Sequence, residues 1–356
     1  MRRFLTSAAA SPRKAARRRR GGTPPPPPRQ VEALHEDILQ FVSCVHETED
    51  EAWRRKATVA RASMVLKTVW PEADVHIFGS AATGLRLPHG DIDLMLEAKG
   101  ANEKKLLQKY SLALRQATVP TSMTHILKAR VPIIKWRDRK TGIMVDACVN
   151  HHGGLENTKL VAKSAASLEA LKPLVLVLKA QLHEFGLQDT FTGGVGSYLL
   201  TNMVRHVLFS PLPPAAREDA ARDEPTELEG EDLGGSLMRF FWYYGHHLDL
   251  RSSIVCSTGS ETRVARGPGR EGWIPHHPDM LSINDPCNPS VDLGEKAFQF
   301  RAVKRLMRSS YSRLHIASCK MGEAHSAGHK KGLLHLVLPK WRARLAARKS
   351  NRSCGS

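Results

Sequence analysis

Twenty residues, 78-FGSAATGLRLPHGDIDLMLE-97, hold a Gly-Ser pair, a further glycine and two aspartates around one isoleucine. Each part has a chemistry. A Gly-Ser turn leading into a helix presents backbone N–H groups at the helix N-terminus, which cradle phosphate. Gly79 lets backbone approach a ligand closely, and Ser80 adds a hydroxyl donor. Side chains two apart in a strand share a face, so Asp91 and Asp93 stand side by side while Ile92 and Leu94 point to the buried face. Neighbouring carboxylates repel unless a proton or a cation sits between them. Hard oxygen ligands beside a phosphate site suit Mg²⁺. A later acid, Asp146, interrupts the apolar run 143-IMVDACV-149, where an unpaired carboxylate is costly to bury. Taken alone, Asp146 reads as the partner of a core Arg or Lys. With Asp-x-Asp upstream, it completes a set of three carboxylates for two-metal phosphoryl transfer.

The surrounding elements must position these groups. From Val31 to about Trp70 the pattern is helical: Leu34, Ile38, Phe41 and Val45 recur at three- and four-residue spacing, and a second helix runs through Ala57, Ala60 and Met64. Pro71 breaks the run. The segment 74-DVHIFGS-80 reads as a strand into a turn and 91-DIDLML-96 as a second strand. A helix near 102–117 precedes two β-rich runs, 125-HILKARVPIIKWRD-138 and 142-GIMVDACV-149. Beyond Leu160 the chain turns apolar and helical, in 170-ALKPLVLVLKAQLHEFG-186, 197-SYLLTNMVRHVLF-209 and 235-GSLMRFFWYYGHHL-248. Between them, 211–232 is rich in Pro, Ala, Glu and Asp and reads as an exposed acidic insertion.

The formal net charge of the 356 residues is +18. Residues 1–30 carry nine Lys/Arg and no acid; residues 320–356 carry nine with one acid, Glu323. The body between them is nearly neutral. Two basic arms around a neutral globule suit a polyanion held through its phosphates, and equally suit an address read by an import receptor. The run 17-RRRRGG-22 favours a nuclear or nucleolar address; the acid-free leader MRRFLTSAAASP is also how a mitochondrial presequence looks. Six scattered cysteines form no C-x2-C pair, so neither a zinc knuckle nor a disulfide framework is indicated. No apolar run is long enough to span a membrane.

The order of parts resembles the nucleotidyltransferase superfamily related to DNA polymerase β. The segment FGSAATGLRLPHGDIDL is similar to that of the nuclear-surveillance (TRAMP-type) poly(A) RNA polymerases, and four more blocks agree. These are 34-LHEDILQF-41, 131-VPIIKWRDRKTGIMVDACVN-150, 174-LVLVLKAQLHEFGLQDTFTGGVGSYLL-200 and 283-INDPCNPSVDLG-294. The resemblance implies an α+β fold: a small mixed sheet with helices, the palm, plus a helical central PAP-associated domain. It implies a basic, Pro-rich arm (1–30), N-terminal helices packing with the central domain (31–70), a palm (71–160), a helical domain (161–319) with the insertion at 211–232, and a basic tail (320–356).

The resemblance also implies a reaction, adding AMP from ATP to an RNA 3′ end, with terminal uridylyl transfer as the alternative and a non-catalytic RNA-binding scaffold as a further one. By carry-over, Asp91, Asp93 and Asp146 hold Mg²⁺, or Mn²⁺ in its place. Gly79 and Ser80 hold the β- and γ-phosphates, Lys179 and Ser197 the triphosphate, Asn157 the sugar, and Tyr198 stacks on the base. Asp292 lies in the base-recognition loop, after Val291 where many relatives carry asparagine. His183 stands where uridylyltransferases often carry a second lysine, which leans toward ATP. The sequence shows no RNA-recognition fold, which in this family implies delivery of RNA by a zinc-knuckle protein together with an RNA helicase.

Overall fold

The computed structural model describes residues 31–88, 90–209, 232–250, 253–255, 257, 263–265, 280–323 and 332–341. The arm 1–30, the acidic insertion apart from Asp232, and most of the basic C-terminal stretch lie outside the described residues.

Two hydrophobic cores organise what is described. The first backs a five-stranded sheet in the order β1-β2-β5-β4-β3, built from Asp74–Phe78, Ile92–Glu97, Pro120–Ile126, Ile133–Asp138 and Met144–Val149 as β1 to β5. The β2 and β5 strands pair in parallel; the other pairs are antiparallel. A parallel pair needs a crossover, and the chain supplies it through helix α4 (Glu103–Gln116), N-capped by Asn102, and the β3–β4 hairpin. On the back of the sheet Ile92, Leu94, Leu96, Ile134, Trp136, Val145 and Ala147 are buried with Leu107 and Tyr110 of α4. Alternation then sends Asp93, Lys135 and Asp146 to the opposite face.

The expected β-rich run 125–138 is broken in the structure. Its first residues end β3, which starts earlier at Pro120, and residues 127–132 turn the chain into β4. Because β3 is an edge strand with most side chains exposed, it carries no alternating pattern to announce it. Proline at its start is the position an edge tolerates.

The second core is helical. Helix α1 (Val31–Val45) contributes Leu34, Ile38, Phe41 and Val45, the stripe expected of it. With it pack α6 (Leu171–Glu184), α7 (Ser197–Phe209), α8 (Leu233–Trp242), a π-helical turn Tyr243–His247, and α9 (Phe300–Glu323). Between the cores lie the short α3 (Gly79–Thr83) and α5 (His152–Ser167). A small two-stranded sheet, Ser253–Val255 with Arg263–Ala265, completes the fold.

Two expectations need correction. Helix α2 (Glu49–Val69), started by a capping box of Thr48 and Glu51, packs on the palm and not on the helical domain. Its buried face is Thr58, Ala62 and Leu66, so Met64 and Ala60 face solvent. A helix with so few large apolar residues gives no clear stripe to read. The basic C-terminal stretch is not all tail either. Within it, Leu333, Leu334, Val337, Leu338 and Trp341 are buried in the helical core. Asp37 accepts the Leu334 amide at 2.8 Å, Gln181 donates to the Val337 carbonyl at 3.1 Å, and Trp341 meets Phe41 edge-on at 5.4 Å. Replacing Trp341 with alanine is expected to cost about 3 kcal/mol of stability, measured by urea denaturation; an unchanged midpoint would mean this segment does not hold the core.

Candidate active site

Sheet register builds the site. Asp93 stands opposite Asp146 across the parallel β2–β5 pair, and Asp146 stands opposite Lys135 across β5–β4. Three neighbouring strands thus place Asp93, Asp146 and Lys135 in one row. Asp91 lies just ahead of β2 and is exposed, while Asp93 and Asp146 are partly buried. Burial, then Asp146 and Asp91, push the Asp93 carboxyl up to about 7. Asp146 is also raised by burial, although the Lys135 ammonium donates to its Oδ2 at 2.5 Å. Its Oδ1 is buried with no hydrogen-bond partner.

A second strand acid shows what a structural aspartate looks like here. Asp138, 1% exposed, receives both Arg61 Nε at 3.0 Å and Nη2 at 2.7 Å, together with the Thr141 hydroxyl and amide. Burial alone would raise its pKa; these donors hold it below the ordinary value. Asp146 has one donor and one orphaned oxygen, which leaves acceptor capacity for a cation. The hard, anionic donor set of Asp91, Asp93 and Asp146 fits a divalent ion such as Mg²⁺. Among the described residues no three His, Cys, Asp or Glu side chains converge tightly enough to enclose one unaided.

The carboxylates open into a cavity of about 1280 Å³ between the two cores. Of the residues singled out in the sequence, Gly79, Ser80, Asn157, Lys179, His183, Ser197 and Tyr198 all line it with the three aspartates. Ser197 begins α7, so a helix N-terminus joins the wall. Lys179 donates to the Leu85 carbonyl at 2.8 Å, and burial lowers its pKa to about 8. Leu85 is itself buried in the helical core, so the loop after α3 stitches the palm to the second domain.

Gly79 does something other than expected. Its amide donates to the Thr158 hydroxyl at 2.8 Å and is therefore not free for a phosphate. Its φ is +66°, and a Cβ there would fall 2.4 Å from Asp93 Oδ2. Glycine is required because the turn presses against the carboxylate. Asp292 is not among the cavity-lining residues. Its carboxylate accepts the Ser282 hydroxyl at 2.7 Å and the amides of Ile283 and Gly294 at 3.0 and 2.8 Å, bracing its own loop. That loop reaches the cavity through Tyr198, whose hydroxyl donates to Asp285 at 2.8 Å.

Sequence reasoning misses Lys135, Thr158 and Trp341, the last a cavity-lining residue contributed from far along the chain. Lys135 is within its reach: in 133-IIKWRD-138 it alternates with Ile134 and Trp136, as Asp146 does with Val145 and Ala147. The other two are brought in by tertiary packing alone.

A five-stranded mixed sheet carrying this carboxylate row, faced by a helical domain, is the fold of the polymerase-β-like nucleotidyltransferases. Comparison with known proteins agrees. A family model described as the central palm domain of the mitochondrial-like poly(A) RNA polymerases matches residues 34–163. Poly(A) RNA polymerase CID14 of Cryptococcus neoformans is 30% identical over 308 residues, covering 85% of this chain and 39% of the relative. Trf4-2 of Drosophila melanogaster, a poly(A) RNA polymerase protein named as inactive, is 30% identical over 289 residues, 79% of this chain and 68% of its own. The solved polymerase core of TRAMP, an RNA surveillance complex, superposes with a TM-score of 0.74 at 26% identity, covering 86% of this chain and 94% of that one. The Cid1 poly(U) polymerase shares the fold, with a TM-score of 0.63 at 21% identity over 78% of this chain and 94% of that one. This chain belongs to the poly(A) RNA polymerase family. It spans half or less of the length of the first curated relatives it matches.

The raised Asp93 carboxyl sets a pH dependence. Well below pH 3.8 the group is protonated in both folded and unfolded chains. Between its unfolded value of 3.8 and its folded value of about 7 only the unfolded chain ionises, so stability falls as pH rises through that window. In metal-free buffer Asp93→Asn is therefore expected to be more stable than the parent at pH 8, by up to about 4 kcal/mol, with the gap closing toward pH 4. Urea midpoints across that range measure it; a gap independent of pH would remove the buried-carboxylate account.

Proposed function

We propose that this chain is a template-independent RNA 3′-end nucleotidyltransferase that transfers AMP from ATP, acting in nuclear RNA quality control. The observation that carries the reading is the in-register Asp93–Asp146 pair with Asp91 beside it, opening into the same cavity as Ser80, Lys179 and Ser197. In the reaction the 3′-oxygen of the RNA forms a bond to the α-phosphorus of the nucleotide, and pyrophosphate leaves. Asp91, Asp93 and Asp146 would hold the divalent metals, Mg²⁺ or Mn²⁺. Metals held by those carboxylates would supply Lewis-acid stabilisation of the negative charge that develops during the transfer. The chain's own groups do the positioning. Lys179 and the Ser197 end of α7 offer donors to the triphosphate, Ser80 a hydroxyl, and Asn157 an amide to the sugar. Tyr198, fixed by Asp285, offers its ring to the base.

We infer ATP over UTP from His183, which lines the cavity and stands where uridylyltransferases often carry a second lysine. Single-turnover extension of a short labelled RNA with each of the four nucleotides and Mg²⁺ tests the reading. We expect a ladder with ATP, lost in Asp91→Ala, Asp93→Ala. A UTP ladder would keep the chemistry and overturn the base assignment. Silence with every nucleotide, alone and with a zinc-knuckle RNA-binding partner, would favour a catalytically silent scaffold, as the name of the fruit-fly relative suggests for that protein.

RNA grip is assigned to the basic arms and to partners, a zinc-knuckle protein and a helicase. Because residues 332–341 belong to the core, the informative truncation removes 1–30 and 342–356. Every RNA phosphate left without its lysine or arginine flattens the slope of log affinity against log salt by about 0.7 for a single strand. We expect weaker primer binding and a shallower slope; an unchanged slope would free the arms for an address role alone.

A further inference from the structure

Lys135 is the one side chain of the carboxylate row that the reaction above does not use, and its position is the most consequential on the sheet. It stands on β4 directly opposite Asp146, which stands opposite Asp93. Its Nζ lies 2.5 Å from Asp146 Oδ2, and its side chain is 34% exposed, so the ammonium sits at the lip of the site and not in the core. The charges of Asp91 and Asp93 also reach it. A second cation of the site, Lys179, is turned to the Leu85 carbonyl across the cleft. Three carboxylates in such a row would draw a divalent ion from solution. Here one oxygen of the third carboxylate already has a cation, its other oxygen is orphaned, and no three described ligands close on a point.

We propose that Lys135 is a resident counter-ion that keeps the aspartates from taking a divalent metal before the nucleotide arrives, so that metal and triphosphate bind as a unit. The physical basis is charge balance. An ammonium touching a ligand oxygen repels an incoming divalent ion and competes with it for Asp146. A nucleotide triphosphate brings several negative charges and further oxygen ligands, which offset that repulsion and complete the coordination the protein leaves unfinished. Lys135 thereby raises the coupling between the two ligands, a coupling that is reciprocal by linkage. It acts through Asp146 and touches no reacting atom, so it is a positioning residue. The inference rests on reading Asp91, Asp93 and Asp146 as metal ligands.

The test measures metal binding without catalysis. Mn²⁺ is titrated into nucleotide-free protein and free Mn²⁺ is followed by electron paramagnetic resonance, for the parent, Lys135→Gln, Lys135→Met and Lys135→Arg. Gln keeps a donor for Asp146 without charge, Met keeps only bulk, and Arg keeps the charge. We expect Gln and Met to bind Mn²⁺ at least tenfold more tightly than the parent, and Arg to match it. Should Met fail to fold by circular dichroism, Gln decides. Unchanged or weaker Mn²⁺ affinity in Gln overturns the proposal and leaves Lys135 a mere packing partner. The underlying reading is checked separately by Mg²⁺-dependent binding of a fluorescent ATP analogue, abolished in Asp91→Ala, Asp93→Ala. If the parent shows no such binding, the metal-site reading fails together with this inference; if only the Lys135 series fails, that reading stands.

Discussion

Mutual repulsion among three carboxylates is the constraint around which this molecule is built. Asp93 and Asp146 face each other across a parallel strand pair with Asp91 alongside, and each would lower its energy by moving away. They cannot, because Ile92, Leu94, Val145 and Ala147, their strand neighbours, are fully buried on the other side of the sheet. A register slip of one residue would exchange the two sets, sending apolar side chains to solvent and charge to the core. The palm core thus holds the acids at close quarters, and the chain tolerates an Asp93 carboxyl raised to about 7 even with the Lys135 and Lys179 ammoniums nearby. Stability given up at that point is what makes the row a strong site for positive charge.

The second domain matters because it adds a further positive charge to that of Lys135 in the palm and encloses the row. Lys179 comes from α6 and Ser197 from α7, yet the cavity they share with the aspartates has walls from both cores. What keeps the walls in place is modest and specific. Leu85, from the loop that leaves α3, is buried among helical-domain residues, and its carbonyl accepts the Lys179 ammonium. The same loop is held by Arg86, which donates to the Gly90 carbonyl and pairs with Glu47 between α1 and α2. A short stretch of chain therefore serves two structures at once: its ends shape the carboxylate row, and its middle anchors the cleft.

The poly(A) RNA polymerase family includes a fruit-fly relative named as inactive, so family membership alone does not assign catalysis. Function has to be argued from the site. Here all three carboxylates, Lys179 and the N-terminus of α7 are gathered in one cavity. On the role proposed for Lys135, charge neutralisation at rest and charge completion by a nucleotide would be two halves of one electrostatic design.

By itself the sequence determined the parts whose physics is local. Alternation along a strand puts Asp93 and Asp146 opposite to buried neighbours, the three- and four-residue stripe of α1 names its packed face, and Pro71 ends α2. Where local pattern is weak, it misleads. Helix α2 buries few large apolar residues, so its sequence gives no clear stripe, and Ala60 and Met64 prove exposed. Edge strand β3 exposes most of its side chains, so it leaves no period. The C-terminal apolar residues sit among basic ones, so net charge hides their burial. Only the tertiary structure decided that Gly79 spends its amide on Thr158, that Asp292 braces a loop, and that Lys135 touches Asp146. Each of these depends on which distant strand or helix lies alongside. Side-chain periodicity records the face a residue occupies; it carries no information about the partner across the gap.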